Sequence, residues 1–512
     1  MRKKQRSSLH LHTTIMDERS SVYDAVTYQG VVVQSCSPGH LALCSLWRHG
    51  PRPATKKFSV TELGCGDGSN LLPLAFYSRE STFVGVDNSA AAIHCAEEGA
   101  RYLDLDNIQF IQEDVRTLNH SGCRSSDYII AHGLYSWVPE DAREAILNFC
   151  LENLTPSGLA YISYNAQPGW SMRNLVRETL QRARLVQQAA IEEKAARAIE
   201  VATTQLLEDL PSRDYAFGAL FAEELERVRD GKPGYVFHEY LAEINDGFWL
   251  RDFVDHAQQH GLDYVADAQD FRWEGQIPQA LRASLSKRDL DPIEQEEMTD
   301  LLCHRYFRAS ILCRADAPRQ SMTHQEILEM VSIATSLCAE SDPFDPTEGV
   351  VETFCREHGP EITLDASITK AAIVLLAAQW PQGMQFESLW QRASEFLISH
   401  GCVVNSGARE QLLEELILLY ETGQLDLRLE EPNYPRDIPE YPQAHVLAQY
   451  EAQHREALTT PFHLPIPFEP EALQFVLGLD GSRSHKELQK EFGSEIVDQT
   501  LPILARWGLL AH

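Results

Sequence analysis

The chain has 512 residues and a formal charge of −31, because 44 Lys and Arg stand against 75 Asp and Glu. This length predicts two to four domains, and so acidic a surface repels phosphate backbones, which excludes DNA or RNA as a general partner and favours a basic peptide or a lysine-bearing protein. No apolar run approaches the roughly 18–20 residues of a membrane span, so no span is expected.

The 11 cysteines are scattered along the chain and form no Cys-x-x-Cys pair. An odd number and the lack of a secretory signal indicate reduced thiols and a cytoplasmic protein. The spacing of Cys303 and Cys313 is wrong for zinc, so no metal site is expected. Residues 1–22 lack the apolar core of a signal peptide and are expected to form a disordered tail.

Between residues 58 and 165, apolar β-branched runs alternate with helix-like runs. This alternation predicts a Rossmann-like α/β fold with a doubly wound, mostly parallel sheet and ligands outside the carboxyl ends of the strands. The predicted strands are FSVTELGC at 58–65, TFVGVD at 82–87, IQFIQED at 108–114, DYIIAHG at 127–133 and LAYISYN at 159–165.

A tract without Gly or Pro follows, from Ser171 to Asp209, and predicts helix. Helix and strand patterns then return over 250–269, and a last strand pattern ends near 316. If these patterns close the same sheet, residues 23–165 and 236–316 form one core, and residues 166–235 are a helical insertion. A separate domain is the alternative.

Two segments beyond Ala317, residues 317–440 and 441–512, each contain three helical runs and resemble winged-helix units. Such units often bind DNA. Residues 320–512, however, contain 11 Lys and Arg against 30 Asp and Glu. This balance favours protein–protein packing for the middle and the C-terminal domain.

The stretch ELGCGDGSN joins the first predicted strand to its helix and has glycines at 64, 66 and 68. Glycine permits a sharp turn and lets the backbone approach a ligand closely, but the spacing differs from the G-x-G-x-x-G of dinucleotide-binding turns. Asp87 closes the second strand, 23 residues after Gly64, where a carboxylate can accept hydrogen bonds from both ribose hydroxyls. Asp114 closes the third strand, where an adenine amino group could be bound.

ELGCGDGSN, FVGVD and QEDV resemble the first three motifs of class I S-adenosylmethionine-dependent methyltransferases. The resemblance implies that the turn lies under the methionine part, with Asp87 at the ribose and Asp114 beside the adenine, and that S-adenosyl-L-homocysteine is the product. A nicotinamide cofactor would need a phosphate cradle at a helix N-terminus, whereas Glu62 and Asp67 suit an ammonium group. A fold with an inactive site is a further alternative. The candidate cofactor-binding residues are Glu62, Gly64, Gly66, Asp67, Gly68, Asn70, Asp87, Asn88, Asp114, Val115 and His132.

Aromatic residues follow the fourth and fifth predicted strands, where the transferable methyl group is expected. A sulfonium and an alkylammonium are both attracted to aromatic faces, and Tyr135 or Tyr164 could hydrogen-bond an amine that Asn165 orients. Core packing is the alternative for each aromatic residue, and a buried structural histidine is as good an interpretation of His132 as a base. The candidate catalytic residues are Tyr135, Trp137, Tyr164, Asn165 and Trp170.

DYIIAHGLYSWVP, SYNAQPGW and HEYLAEINDGFWLRDFVDHAQQHGLDYVADA resemble methyltransferases that carry a methyltransferase regulatory domain, among them the rickettsial outer-membrane-protein lysine methyltransferases. The resemblance begins near Tyr23 and implies a helical dimerisation insertion, hence a homodimer, followed by a middle and a C-terminal domain. It also implies an N-terminal cover over the cofactor. In that cover the stretch SCSP is less polar than the family pattern, which speaks against a cofactor contact by Gln34 or Ser35. Methylation of protein lysines is the implied activity; small-molecule methylation and a non-catalytic cofactor-binding scaffold are the competing functions.

Overall fold

The computed structural model describes residues 30–118, 125–207, 216–269, 277–285, 287–356, 359 and 361–511. The tail expected over 1–22 and the start of the expected cofactor cover lie outside the described residues. Within the described ranges, no helix combines the length and the hydrophobicity that crossing a bilayer requires.

Eight strands form a central sheet. They are β1 (Ser59–Leu63), β2 (Thr82–Asp87), β3 (Ile108–Gln112), β4 (Ser126–Ala131), β5 (Leu154–Ala166), β6 (Gly247–Phe248), β7 (Leu262–Asp267) and β8 (Phe307–Arg314). Seven of them follow the order β3-β2-β1-β4-β5-β8-β7, and the short β6 pairs with the end of β5. The first five pair in parallel, whereas β8 runs antiparallel between β5 and β7. This arrangement confirms the predicted class I methyltransferase core.

Successive strand residues point to opposite sides of the sheet, and an apolar cluster covers each face. Val60 and Phe83 belong to one apolar cluster, while Leu63 and Val86 belong to another. The helices of this part of the chain are α1 (Pro38–Trp47), α2 (Leu71–Tyr77), α3 (Ala90–Tyr102), α4 (Glu140–Asn153), α10 (Leu250–Gln259), α11 (Gln279–Leu285) and α12 (Pro292–Cys303).

The tract from Ser171 onward is helical, as expected, but it is not one continuous helix. Its helices are α5 (Trp170–Arg182), α6 (Arg184–Gln187), α7 (Lys194–Val201), α8 (Ala216–Asp230) and α9 (Pro233–Val236), with a 3-10 turn at Ile191–Glu193 and π-helical turns at Ala202–Leu207 and Phe237–Leu241. Helix α5 ends because Ala183 is extended, with φ −65° and ψ 127°. The short helices surround one apolar cluster that includes Val176, Leu225 and Tyr240; a single straight helix would leave that apolar surface in water.

A further apolar cluster forms from residue 322 to residue 429, and all three helices expected there are present. Its elements are α13 (His324–Met330), β9 (Ser332–Ala334), β10 (Cys338–Ala339), β11 (Glu352–Cys355), β12 (Ile362–Leu364), α14 (Ser367–Gln379), β13 (Met384–Gln385), α15 (Phe386–Ser399), α16 (Ala408–Glu421) and β14 (Asp426–Arg428). Helix α1 shares this core through Leu43, Leu46 and Trp47, and the Trp47 ring stacks on His324 at 4.0 Å. We call this region the middle unit; its expected domain boundaries and winged-helix character stay predictions.

The last part of the chain forms the C-terminal unit around its own apolar cluster. Its elements are α17 (Val446–His454), β15 (Ala457–Thr459), β16 (Pro465–Pro467), α18 (Pro470–Leu477), α19 (His485–Phe492) and α20 (Ser494–Arg506). The unit docks on the methyltransferase core: Tyr77 Oη donates to the Thr459 carbonyl at 2.8 Å, and Arg455 Nη1 donates to the Ser69 carbonyl at 3.2 Å. This docking brings the turn between β15 and β16 next to the glycine turn.

Candidate cofactor and acceptor site

The three glycines after β1 all have positive φ angles, +73° at Gly64, +54° at Gly66 and +76° at Gly68. Side chains rarely allow this conformation, so the shape of the turn requires glycine. A Cβ added at Gly68 would meet Phe110 at 3.0 Å, whereas one added at Gly66 would meet no atom within 4 Å. The open side at Gly66 gives a ligand room against the backbone.

Asp87 ties the glycine turn to the end of β2. Its Oδ2 accepts a hydrogen bond from Gly66 N and its Oδ1 accepts one from Ser89 N, both at 2.9 Å. Asp87 is half-buried and the following Asn88 is exposed, at the carboxyl edge of the sheet. The carboxylate is therefore fixed where a ribose was expected, with its outer side accessible.

Glu62 lies beneath the turn and is only 4% exposed. Its Oε1 accepts a hydrogen bond from Asn70 Nδ2 at 3.0 Å, but its buried Oε2 has no partner in the part of the chain that the structure describes. Burial, opposed by the Asn70 hydrogen bond and assisted by the charges of Asp87 and Asp67, raises the pKa of Glu62 to about 8. An unpartnered buried carboxylate is costly, and an α-ammonium group would satisfy it, so Glu62 fits the methionine part of the cofactor.

Residues 30–36 run across the glycine turn, where the cofactor cover was expected. Val33 N donates to Asn70 Oδ1 at 3.1 Å. Gly30 approaches so closely that a Cβ there would lie 2.3 Å from Asp67 Oδ1. Gln34, in contrast, is exposed.

Asp114 lies beyond β3, and both of its carboxylate oxygens are engaged by Arg116. The Nε of Arg116 donates to Oδ1 at 2.9 Å and its Nη2 donates to Oδ2 at 2.6 Å. Burial acts to raise the pKa of Asp114, but the hydrogen bonds and charge of Arg116 outweigh it and lower the pKa below its usual value. An adenine amino group would thus share Asp114 with a guanidinium, next to the partly buried Val115.

A polar corner, composed of Ser35, His132, Tyr161 and Ser163, lies beyond β4 and β5. His132 Nδ1 is 3.0 Å from Tyr161 Oη and 3.3 Å from Ser163 Oγ, and Ser35 Oγ is 3.4 Å from the same Tyr161 hydroxyl. Burial lowers the pKa of His132 to about 4, so its imidazole is neutral near pH 7. His132 was expected at the site from the sequence, whereas Tyr161 was not.

Tyr164 points to the opposite face of the sheet from Tyr161. It is fully buried, its ring stacks on Phe253 at 4.3 Å, and its hydroxyl lies 3.1 Å from Ser310 Oγ. Strand alternation separates the two tyrosines, because they are three residues apart. The structure therefore brings Tyr161, and not Tyr164, to the polar corner.

Tyr135 and Trp137 belong to the 3-10 turn Tyr135–Trp137 that follows β4. The hydroxyl of Tyr135 is 2.6 Å from His256 Nδ1 on α10, and His256 Nε2 is 3.0 Å from Glu144 Oε1 on α4. Trp137 is half-buried. Tyr135 is thus directed into the layer of helices, away from the polar corner.

Asn165 and Trp170 lie where β5 leads into the insertion. Asn165 N donates to Ser136 Oγ at 2.8 Å, and its Nδ2 donates to Asn245 Oδ1 at 2.5 Å. Trp170 is 1% exposed and packs so closely on Gly247 that a Cβ there would lie 2.3 Å from the ring. Asn165 thus ties the end of β5 to Ser136 and Asn245, and Trp170, at the start of the insertion, packs on β6.

A cavity of about 990 Å³ opens beside His132. Its walls come from residues 32–40 of the cover segment and α1, from β14 and the residues after it, and from the turn between β15 and β16. The charged side chains in these walls are Asp426, Glu430, Glu431 and Arg428, and Arg428 pairs with Asp426 at 3.6 Å and with Glu431 at 3.2 Å. Three separate parts of the chain thus enclose one space next to the polar corner.

His463, in the turn between β15 and β16, reaches the glycine turn. Its Nε2 is 2.8 Å from Asn70 Oδ1, although 393 positions separate the two residues. His463 is 4% exposed. The sequence does not predict this contact, since no motif connects the C-terminal unit with the glycine turn.

Two family models match parts of the chain. Residues 60–158 match a methyltransferase domain, and residues 232–314 match a domain described as a predicted methyltransferase regulatory domain. The first match includes the glycine turn, Asp87 and Asp114. The second includes β7 and β8, which complete the sheet, and the helices α10 and α12.

Similar proteins extend the comparison. An uncharacterized protein of Rickettsia prowazekii is 25% identical over 482 residues, which are 90% of this chain and 84% of that protein. A trans-aconitate 2-methyltransferase of Deinococcus radiodurans is 30% identical over 120 residues, which are 23% of this chain and 43% of that protein. The structure of PKMT2 from Rickettsia typhi in complex with AdoHcy matches 94% of this chain and 99% of its own, with a TM-score of 0.82 at 23% identity. The fold is therefore shared along nearly the whole chain.

Proposed function

Because the chain is a class I S-adenosylmethionine-dependent methyltransferase with a methyltransferase regulatory domain, we propose that its methyl acceptor is a lysine side chain of a protein. The cavity beside His132 carries this proposal. Its volume of about 990 Å³ lies at the upper end of the roughly 300–1,000 Å³ of small-molecule sites. It therefore has room for a lysine together with part of its peptide.

Charge and fold add support. Three acids, Asp426, Glu430 and Glu431, line the cavity against one base, Arg428, which leaves a net negative charge in its walls. The chain also carries a formal charge of −31, and both charges attract a cationic peptide. PKMT2, whose name denotes a protein lysine methyltransferase, shares the fold over 94% of this chain.

The residues of the site have defined tasks in this reaction. S-adenosylmethionine, when bound, supplies a methyl group on a sulfonium sulfur for in-line displacement, in which alignment gives much of the acceleration. Asp87 and Glu62 hold its polar ends, and the polar corner offers Tyr161 Oη and the neutral His132 as acceptors for the N–H groups of the lysine amine. The amine must be neutral to attack. With a pKa near 4, His132 is too weak a base to keep the lysine proton at neutral pH, so that proton leaves to water in the cavity.

The test compares acceptors. Methyl transfer from tritium-labelled S-adenosylmethionine is measured with a dialysed protein lysate, with the same lysate after its lysines have been acetylated, and with a protein-free metabolite extract. Label in the first alone supports the proposal, and Asp87→Ala should abolish it while the exposed control Asp106→Ala keeps it.

Small-molecule methylation is the second candidate, favoured by the similarity to trans-aconitate 2-methyltransferase. Label confined to the metabolite extract would establish it and overturn the lysine proposal. A protein that binds the cofactor but labels neither extract would instead be the non-catalytic scaffold.

We further propose that the chain acts in the cytoplasm as a homodimer that forms through the insertion. Leu175 on α5 and Leu220 on α8 are 41% and 44% exposed, which supports an apolar contact there, and the ten described cysteines are all free, which supports a reducing compartment. Light scattering after size exclusion should give twice the chain mass. Leu175→Glu with Leu220→Glu should give a monomer, whereas the exposed control Leu418→Glu should not; an unchanged mass would contradict the proposed surface.

A further inference from the structure

We infer that His463 of the C-terminal unit is a positioning residue of the cofactor site, which acts on Glu62 through Asn70. Three side chains form a continuous chain of hydrogen bonds: His463 Nε2 to Asn70 Oδ1 at 2.8 Å, and Asn70 Nδ2 to Glu62 Oε1 at 3.0 Å. Glu62 is the carboxyl group that fits the cofactor ammonium. The inference concerns the cofactor only and holds whichever acceptor is methylated.

The direction of each hydrogen bond follows from one backbone group. Val33 N can only donate, and it lies 3.1 Å from Asn70 Oδ1, so the oxygen end of the amide faces it. His463 Nε2 contacts the same oxygen and must therefore carry the proton and donate. The NH₂ end of Asn70 is then directed at Glu62 Oε1 and at Cys36 Sγ, 3.1 Å away. The amide oxygen thus accepts from Val33 and His463, and the amide nitrogen donates to Glu62 and Cys36. These four contacts fix the orientation of the Asn70 amide.

Water does not compete for these contacts. His463, Asn70 and Glu62 are 4%, 5% and 4% exposed. Hydrogen bonds in such a dry environment are stronger, and the loss of one partner leaves an unsatisfied polar atom. Burial lowers the pKa of His463 to about 3, so the imidazole stays neutral and its donor role does not change near pH 7.

The backbone at His463 also indicates a specific requirement. Its φ angle is +55°, a left-handed conformation that non-glycine residues seldom adopt. His463 N donates to the Thr460 carbonyl at 2.9 Å, and Thr460 N donates to the Leu464 carbonyl at 3.0 Å, which closes the turn. Strained positions persist where the surroundings demand them, and here the turn places the imidazole on the Asn70 amide.

The chain of hydrogen bonds ends in two buried acceptors, Glu62 Oε2 and His463 Nδ1, for which the described residues provide no donor. A group with several N–H donors, such as the α-ammonium of the cofactor, suits Glu62 Oε2. His463 does not contact Glu62 directly. It holds the Asn70 amide, which in turn orients Glu62. If docking of the C-terminal unit increases cofactor affinity by some factor, thermodynamic linkage requires that bound cofactor favour the docked state by that same factor.

The test measures AdoHcy binding by calorimetry on the full chain. His463→Ala removes the donor and should weaken binding about tenfold. His463→Gln, whose amide nitrogen can take the place of Nε2, should restore the dissociation constant to within about threefold of the wild type, whereas His463→Asn, which mimics Nδ1, should not. Tyr77→Phe is the matched control, because it removes the hydroxyl contacts with Thr459 and His445 from the same docked surface without touching Asn70.

Hydrogen exchange gives a second readout. AdoHcy should increase the protection of residues 457–467 in the wild type and in Tyr77→Phe, but not in His463→Ala. Equal AdoHcy binding by wild type and His463→Ala would overturn the inference. So would an equal loss of binding in His463→Ala and Tyr77→Phe, since that would show a general effect of docking. If His463→Ala does not fold, the contrast between His463→Gln and His463→Asn decides in the same way.

Discussion

Asn70 Nδ2 donates a 3.0 Å hydrogen bond to one oxygen of Glu62, while the other oxygen of that carboxyl group is buried without a partner among the described residues. The contact therefore orients the Glu62 carboxyl group but leaves one of its oxygens without a hydrogen bond. We propose that the α-ammonium group of the cofactor supplies the missing donor, and we expect the protonation state of Glu62 to control the cofactor affinity.

The first prediction is that AdoHcy binding tightens as the pH rises toward 8. The pKa of Glu62 in the free protein is about 8, and an ammonium requires the carboxylate form. Below that pKa, binding must first remove a proton, so the affinity should fall by up to about tenfold for each pH unit. Calorimetry from pH 6 to pH 8 measures this slope.

Glu62→Gln serves as the control for that slope. It should bind AdoHcy more weakly at pH 8 and show a flat profile over the same range. The neighbouring His463, with a pKa of about 3, does not titrate there. A wild-type profile as flat as that of the variant would refute the assignment of Glu62 to the ammonium.

The second prediction concerns stability without the cofactor. The folded state raises the pKa of Glu62 from 4.5 to about 8, so between these values the folded chain holds a proton that the unfolded chain has lost. The stabilisation is complete below about pH 4.5 and declines as the pH rises to 8, by up to roughly 1.4 kcal/mol per pH unit. Thermal unfolding should show that Glu62→Gln loses less stability than the wild type between pH 5 and pH 8.

The third prediction separates the two tyrosines of β5. Tyr161→Phe removes the hydroxyl from His132 and Ser35 and should lower methyl transfer about tenfold, with AdoHcy affinity within twofold of the wild type. Tyr164→Phe should leave methyl transfer within about twofold, because its hydroxyl contacts Ser310 in the core. The tritium assay compares both variants, and the reverse order of effects would contradict the placement of the polar corner.

The fourth prediction concerns a buried ionic cluster that joins β8 to α12. Arg308 Nε donates to Asp300 Oδ2 at 2.7 Å, both groups being 1% exposed. A buried charge left without any partner costs about 3–5 kcal/mol. In Asp300→Asn, Arg308 keeps Glu296 at 2.9 Å and Asp267 at 3.6 Å, so the cost should be smaller and the unfolding midpoint should fall by a few degrees. Glu456→Gln, in the exposed pair with Lys232, should change the free energy of unfolding by less than about 1 kcal/mol. Similar unfolding midpoints for the two variants would show that the buried cluster does not contribute to the stability of the fold.

The sequence predicts those parts of the fold and site that depend on local pattern. The glycine turn, Asp87 and Asp114 follow from residue type and from the ends of strands, and the structure places all of them at one edge of the sheet. Tyr164 was expected at the site because it lies at the end of the fifth strand pattern. Strand alternation, however, puts positions 161 and 163 on one face of β5 and position 164 on the other.

Long-range packing explains what the sequence does not predict. The breaks in the helical tract, at Ala183 for example, occur at residues that favour helix, so they follow from burial of the cluster around Leu225 and Tyr240. The contact of His463 with Asn70 depends on how the C-terminal unit docks, and no local pattern in either segment encodes it.

The distance in sequence between Asn70 and His463 has a consequence for biosynthesis. At about 5–20 residues per second, translation needs roughly 20–80 s to proceed from one to the other, a separation of 393 residues. During that interval the nascent chain displays its glycine turn without the imidazole that aligns it. If His463 has the proposed role, full cofactor affinity is acquired only after residue 463 has left the ribosome, and we expect incomplete translation products to compete poorly for S-adenosylmethionine.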